Sequence, residues 1–501
     1  MAVSSAPAGR LRRVLPFRTV VSTSTGLAYA AISLLSCVQI AAFMAGDSAW
    51  IALLIAGLLA LLAAFCFSEL NALYPTAAAV RQYIGAAFNE RSSLTIAFGY
   101  VLTVVAVIAA DSYIVGSAIS YFFDQSAFSG TFLHQIPVMV WIFAILALAA
   151  VSNLLGIKIA GTLQDITTYS LLISLGAISL IALAHGGFHL NQPFNAFGAP
   201  GNLINAVAVG VFTFSAFEWV TPLSEELNDT TTIPRGMFVS LGLLFVSYSL
   251  FTVACTNLVH IDRLCQHIGM PNQVCTPVPQ MILGQTALGE AGIVWMLIAT
   301  IFTGVMTFNG GFATASRFIY AAAREATLPD AFAQISARLV PWVTVLTLAV
   351  ASAVIAVLVV LSNAASMLIL VGAVLEAMIY AVAGLCVIQL RRRQRDAARS
   401  FRIPFGLTIP LLSVIIFTAL GLAAGLTPTP WPLVITVGVF AVTYLYVWLY
   451  VPRLKARAEA KRQANRRRRL PRPAATAAPA VATASEPPPA ILEQAEGEQQ
   501  Q

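Results

Sequence analysis

Residues 201–223 read GNLINAVAVGVFTFSAFEWVTPL, and this stretch decides the interpretation of the chain. It is apolar enough to cross a membrane, yet Thr213-Phe214-Ser215-Ala216 and then Glu218 interrupt its second half. Backbone in lipid must satisfy its own hydrogen bonds, so a polar break inside a span indicates backbone that lines a cavity. We therefore predict a broken helix at Ser215 and Ala216, with polar atoms that contact a ligand.

A similar break lies five spans earlier, where Ser22-Thr23-Ser24-Thr25-Gly26 interrupts the first apolar run. Paired breaks at matching places in two halves are typical of inverted-repeat transporters, whose half-helix N-termini bind anionic substrate groups. The amides after Ser24 and after Ser215 are predicted to bind a substrate carboxylate. The alternative is that these hydroxyls bond to the preceding turn or join neighbouring helices.

Twelve apolar runs cover the chain between residues 20 and 450. Of the 501 residues, 58% are hydrophobic and only 10% are charged, too few to cover the surface of a soluble domain. The sequence predicts an all-α membrane protein with twelve transmembrane helices. The runs lie near residues 20–45, 49–73, 94–123, 136–153, 161–184, 201–223, 237–259, 291–320, 342–361, 365–390, 405–426 and 431–450.

The positive charges predict the orientation of these spans. Of the 28 Lys and Arg residues, all except Arg263 fall in alternate gaps or, for Arg317, near the end of a run that adjoins such a gap, which is the positive-inside pattern. We expect a multi-pass protein of the plasma membrane, in a bacterium the inner membrane, with both termini in the cytoplasm. The net charge of +7 is then explained by orientation and by contact with anionic lipid, and nucleic-acid binding is not expected.

The two ends of the chain differ from the middle. Residues 1–19 are predicted to be a basic cytoplasmic segment, and residues 20–450 the transporter domain. Residues 451–501 are basic at first and then rich in Pro, Ala and Glu, with no apolar residues at helical spacing. This tail is predicted to be disordered and cytoplasmic.

Carboxyl groups within spans are candidates for function, because each costs roughly 2.5–3.5 kcal/mol near the bilayer centre on insertion scales. Asp111 interrupts the third span and is predicted to be a proton site or a contact for a substrate ammonium group. Glu218 and Glu376 are further candidates for proton coupling. For Asp111 and Glu376, the alternative is a structural hydrogen bond to a neighbouring helix.

Catalytic and metal-binding patterns are not recognised in this sequence. It has no Walker loop, dinucleotide fingerprint or nucleophile elbow, so neither an enzyme nor a cofactor is predicted. Its histidines and six cysteines show no zinc spacing. Cys265 and Cys275 lie in one predicted outside loop and are candidates for a disulfide bond, since the outside is oxidising.

Five segments together resemble the amino acid–polyamine–organocation permeases. They occur in the family's order over residues 15–450. The segments are SELNALYP (68–75), NLLGIKIAGTLQD (153–165), FTFSAFEWVTPLSEELNDTTTIPRG (212–236), FATASRFIYAAAREATLPDAF (312–332) and RRRQRDAARSFRIPFGLTIP (391–410).

The resemblance implies the leucine-transporter fold. Five plus five helices form inverted repeats at about residues 20–184 and 201–390, and residues 405–450 add two helices. It also implies a substrate site between spans one, three, six, eight and ten.

The resemblance extends to single residues. Ser24, Thr25 and Gly26 match the position where the family's substrate carboxylate meets exposed amides, and Phe212 matches an aromatic gate. Ala216 replaces the family's usual Gly. Leu171 stands where many members have a Lys linked to coupling, which leaves proton coupling to other groups.

The sequence as a whole predicts a secondary active transporter of an amino acid or small amine, driven by proton symport or by substrate exchange. A sodium-coupled symporter, a nutrient sensor without flux and a channel are the alternatives. The substrate itself and the oligomeric state stay open.

Overall fold

The computed structural model describes residues 16–469 except 45–47, 77, 126–129, 156, 189–199, 228–230, 269–272, 337–339, 363, 427 and 428. Helices account for most of these residues. They are α1 Phe17–Ala28, α2 Ala31–Phe43, α3 Ala49–Leu73, α4 Val80–Ala87, α5 Glu90–Gln125, α6 Val138–Leu155, α7 Ile157–Gly186, α8 Pro200–Thr213, α9 Thr232–Ala254, α10 Ile261–Leu264, α11 Pro279–Leu288, α12 Glu290–Arg324, α13 Trp342–Ser362, α14 Ala365–Arg393, α15 Thr408–Leu426, α16 Trp431–Leu449 and α17 Val451–Arg469.

The predicted twelve spans are present. Within the described part of the chain, eleven helices are long and apolar enough to cross a membrane, and α1 and α2 form a twelfth span bent by 55°. The apolar side chains of α13 include Val350, Val354, Leu358 and Leu361, each more than half exposed. An outward apolar face of this kind is expected of a helix whose solvent is lipid.

Small residues set the distance between the central helices. Ala52, Ala56, Ala60 and Ala63 lie along one face of α3 and are fully buried. A methyl group added to Gly210 of α8 would lie 2.6 Å from the Cβ of Ala56. Apolar burial does not drive helices together in lipid, so close packing of this kind replaces it.

The loop between α9 and α11 is ordered by short elements. A π-helical turn, Cys255–Val259, continues α9, and strands β1 Cys265–Gln266 and β2 Val274–Cys275 pair antiparallel beyond it. Cys265 lies opposite Cys275 in this pairing, and the two form a disulfide bond.

A buried ion pair connects α3 to the α14–α15 connection. Glu69 accepts hydrogen bonds from Arg391 Nε at 2.7 Å and from the backbone amide of Ile403 at 2.9 Å, while Arg399 lies 3.4 Å away. The SELNALYP segment and the RRRQRDAARSFRIPFGLTIP segment thus meet at one carboxylate, and their opposite charges compensate each other where both are buried.

The end of the chain corrects one prediction. Residues 451–501 are predicted to be disordered, but Val451–Arg469 forms α17. The reason is intrinsic propensity, because Ala, Arg, Lys, Glu and Gln all favour a helix without any apolar period. Residues 1–15 and 470–501, which hold most of the predicted basic segment and the rest of the tail, lie outside the described residues.

Candidate functional site

The first span is broken later than the sequence predicts. α1 continues through Ser24, Thr25 and Gly26 to Ala28, and the break falls at Tyr29 and Ala30, where Ala30 is extended with φ −67° and ψ 152°. The prediction of free amides after Ser24 is therefore wrong, since these residues are helical. The free amides of this span belong to the first turn of α2.

The polar residues of α1 join helices together. The Ser24 hydroxyl donates to the carbonyl of Phe217 at 2.8 Å, and the Thr25 hydroxyl donates to Ser240 Oγ at 3.0 Å. A methyl group on Gly26 would lie 2.9 Å from Met306 Cγ and would also meet side chains of α7. The alternative interpretation therefore applies to Ser24, Thr25 and Gly26, which pack α1 against neighbouring helices.

The second break lies where the sequence predicts it. α8 ends at Thr213, a turn covers Phe214, Ser215 and Ala216, and a 3-10 segment, Phe217–Glu226, continues the span. The Ser215 hydroxyl donates back to the carbonyl of Phe212 at 2.7 Å. Ala216 adopts the left-handed conformation, φ 70° and ψ 0°, which ends the regular helix at the cost of strain for a residue with a Cβ.

One tyrosine of α9 connects both breaks. The Tyr248 hydroxyl donates to the carbonyl of Ala28 at 2.7 Å, which satisfies an orphan carbonyl at the end of α1. Its ring stacks on Tyr29 with centroids 5.2 Å apart and meets Phe214 edge-on at 5.6 Å. The two breaks are thus neighbours in the middle of the bundle, and both tyrosines are missed by the sequence analysis.

Asp111 of α5 lies at the first break. Its Oδ1 accepts a hydrogen bond of 2.8 Å from the backbone amide of Ile32, in the first turn of α2. The side chain is fully buried, and its Oδ2 has no hydrogen-bond partner among the described residues. Thr307 of α12 lies beside the carboxyl group. The structural bond to a neighbouring helix is therefore present at Asp111, and its role toward a substrate or a proton stays a prediction.

A second cluster of polar groups surrounds Glu218. The hydroxyls of Tyr100 and Tyr380 donate to its two oxygens at 2.9 and 3.1 Å. Glu376, one helical turn before Tyr380 on α14, is close enough to interact electrostatically with Glu218. Both carboxyl groups are fully buried, and neither oxygen of Glu376 has a hydrogen-bond partner in the described chain. Two buried carboxyl groups that interact electrostatically repel one another when both are ionised, so a proton on one of them is favoured.

Phe212 lies in the last turn of α8, just before the second break. The Phe212 ring packs against Gly372 of α14, where a methyl group would lie 3.0 Å from its Cδ2. It is buried in the core of the protein. Its predicted role as a gate stays a prediction.

α7 holds two polar side chains that the sequence analysis does not single out. Asp165 accepts hydrogen bonds from Ser22 and, at 3.0 Å, from Thr19, and it pairs with Arg18 at 3.7 Å. Gln164 is buried beside Gly26, and its amide has no hydrogen-bond partner within the described residues. Both lie in the NLLGIKIAGTLQD segment, which is the signal that could have found them. They fix the N-terminal half of the first span to α7.

Groups of three His, Cys, Asp or Glu side chains that could hold a metal ion do not occur in the part of the chain that the structure describes.

Comparison with known proteins places this geometry in a family. The family described as "Amino acid permease" matches residues 16–453. The methylthioribose transporter of Bacillus subtilis is 26% identical over 393 residues, which cover 75% of this chain and 80% of that protein. The mouse large neutral amino acids transporter small subunit 2 is 23% identical over 57% of this chain, and the match spans only 53% of that protein.

A solved structure supports the architecture. This is a substrate-bound, outward-open state of a Na+-coupled sialic acid symporter, with a TM-score of 0.52 and 14% identity. The match covers 83% of this chain and 91% of that chain. At this identity the likeness concerns the fold alone, and the fold is that of the leucine transporter, with its broken first and sixth spans.

Proposed function

This chain belongs to the amino acid permease family, and on that premise we propose that it is a secondary active transporter of an amino acid or small amine. The observation that carries the proposal is the meeting of two broken spans at Tyr248, in the middle of twelve helices. Half-helices that end at the midplane leave backbone groups for a substrate, and their hinges allow alternating access.

Proton symport or exchange is proposed as the driving reaction, with the Glu218–Glu376 pair as the proton site. The groups that face this pair are the hydroxyls of Tyr100 and Tyr380. A proton on the pair removes the repulsion between two buried negative charges, and its loss restores that repulsion. Since Tyr380 and Glu376 lie on α14 while Glu218 follows the second break, protonation would couple the break to α14. Leu171 supplies no titrating group to this role.

Transport assays on proteoliposomes test both proposals. We expect saturable uptake of labelled amino acids or amines that rises with an inward proton gradient and is unchanged when sodium is replaced by potassium. Uptake that follows sodium would favour a sodium symporter. Flux without saturation would indicate a channel, and ligand binding without flux would indicate a sensor.

The proton site is tested by Glu376→Gln. We expect this variant to lose accumulation driven by the proton gradient by at least tenfold and to keep substrate exchange, because exchange needs no net proton movement. Glu459→Gln, an exposed carboxyl group of α17, is the matched control and should accumulate substrate like the unmodified protein. Gradient-driven accumulation at the normal rate in Glu376→Gln would rule out the pair as the proton site.

A further inference from the structure

In this protein, one of its own side chains already contacts the backbone amides at the N-terminus of α2, which follow the break in the first span. In inverted-repeat transporters the N-terminus of a half-helix faces an anionic group of the substrate. Here Asp111 Oδ1 accepts the Ile32 amide of α2 at 2.8 Å. α2 is a helix of thirteen residues, long enough for its N-terminus to carry roughly half a positive elementary charge.

With Asp111 ionised, the net charge at the N-terminus of α2 is therefore negative rather than positive. A carboxylate at the end of α2 contributes a full negative charge, which exceeds the partial positive charge of the helix. Within the described residues no Lys or Arg lies within ion-pair distance of Asp111, and Oδ2 has no partner although the side chain is fully buried. A second carboxylate, from a substrate, would meet repulsion here, whereas a cation would meet an unused acceptor.

The neighbours of the free oxygen suit an ammonium group. The phenol group of Tyr248 lies close enough to interact electrostatically with Asp111, and the ring of Tyr29 stacks on the ring of Tyr248 with centroids 5.2 Å apart. Thr307 of α12 lies beside the carboxyl group, where its hydroxyl interacts with Asp111. A carboxylate oxygen and neighbouring hydroxyl oxygens are acceptors that bind an organic ammonium ion.

From this arrangement we propose that Asp111 takes the place of the substrate's α-carboxylate at the N-terminus of α2, so that the ligand is an organic amine without an α-carboxylate. The inference rests on the proposed transport function and names its substrate class. The ammonium group of the ligand binds Asp111 Oδ2 when the two breaks open, and Oδ1 stays on the Ile32 amide. Asp111 thereby determines specificity.

Pairs of compounds that differ only in the α-carboxylate test this proposal. The probes are tyramine with tyrosine, agmatine with arginine, and isoamylamine with leucine. Purified full-length protein is titrated with each compound while thermal unfolding is followed, because a ligand that binds the folded state raises the unfolding midpoint. We expect one or more amines to bind at least tenfold more tightly than the matched amino acid. Tighter binding of the amino acid in every pair, or no binding of any probe, would overturn the inference.

Two substitutions at one position sharpen the test. Asp111→Asn keeps an oxygen for the Ile32 amide but removes the charge, and we expect amine affinity to fall at least tenfold. Asp111→Ala leaves the α2 amides free, and we expect the preference to move toward the amino acid. Asp262→Asn, an exposed carboxyl group of the α9–α11 loop, is the control and should bind like the unmodified protein. Unchanged amine affinity in Asp111→Asn would overturn the inference. The comparison of pairs in the unmodified protein decides the matter if a variant does not fold.

Uptake into proteoliposomes separates this inference from the transport function on which it rests. Accumulation of amino acids in preference to amines would keep the transport function and overturn the role of Asp111. An amine that binds in an Asp111-dependent way but never crosses the membrane would keep the role of Asp111 and overturn transport.

Discussion

Ala216 is the residue at which the broken sixth span is most strained. Its left-handed conformation costs an L-residue on the order of 1–2 kcal/mol, while glycine adopts it freely. Two hydrogen bonds stabilise this strained conformation. The Phe217 carbonyl accepts a hydrogen bond from the Ser24 hydroxyl, and the Trp219 amide donates one to the carbonyl of Ala216 at 3.2 Å. A family that usually places Gly here needs no such support.

We predict that Ala216→Gly raises the free energy of unfolding by up to about 1 kcal/mol, since relief of strain exceeds the entropy that glycine gains in the unfolded chain. Ala208→Gly, in the regular part of α8, is the control and should lower it by roughly 0.5–1 kcal/mol. Thermal unfolding of the purified protein in one detergent measures both. A lower midpoint for Ala216→Gly than for the unmodified protein would contradict the prediction.

At the scale of elements, the connection between α14 and α15 depends on the Glu69–Arg391 pair. Both side chains are at most 10% exposed, so removal of one partner leaves a buried charge without compensation. We predict that Glu69→Gln lowers the free energy of unfolding by on the order of 3–5 kcal/mol and loosens α15 from α3. Thermal unfolding and protease resistance of the α14–α15 connection are the measurements.

The Arg81–Glu325 pair provides the comparison for Glu69. Its carboxyl group is 49% exposed, so Glu325→Gln should cost no more than about 1 kcal/mol. Equal losses for Glu69→Gln and Glu325→Gln would mean that burial does not set the strength of these pairs, and the argument for the α14–α15 connection would fail.

The two breaks also show what a local pattern can and cannot predict. The sixth span breaks where Ser215 and Glu218 predict it, because the polar run and the break coincide in sequence. The first span breaks at Tyr29 and Ala30, which carry no Gly, Pro or polar run. Asp111 and Tyr248, 79 and 220 residues from their partners, satisfy the backbone at this break. Contacts of such long range leave no trace in the local sequence.

Twelve spans are predictable because the length of an apolar run is a local property of the sequence, and that length determines whether a helix can cross the bilayer. The contacts between polar side chains are less predictable from the sequence. Glu218 and Glu376 are recognisable as carboxyl groups in apolar runs, but the hydrogen bonds from Tyr100 and Tyr380 to Glu218, and the approach of Glu376 to it, depend on how distant segments pack. The role of Asp165 is not predictable either, since the sequence cannot distinguish a buried carboxyl group near the end of a predicted span from a solvated one.

The orientation of the whole molecule in the membrane is predicted from the distribution of positive charge alone. Every Lys and Arg except Arg263 falls in alternate gaps or close to the end of a span that adjoins one, and insertion retains such residues on the cytoplasmic side. We expect a reporter inserted at residue 128, between α5 and α6, to lie outside, and a reporter fused after residue 501 to lie inside. An alkaline phosphatase reporter, active only outside, and a fluorescent protein, bright only inside, give opposite readings at each site. Because the two sites are separated by an odd number of spans, a common side for both would be incompatible with twelve spans in this register.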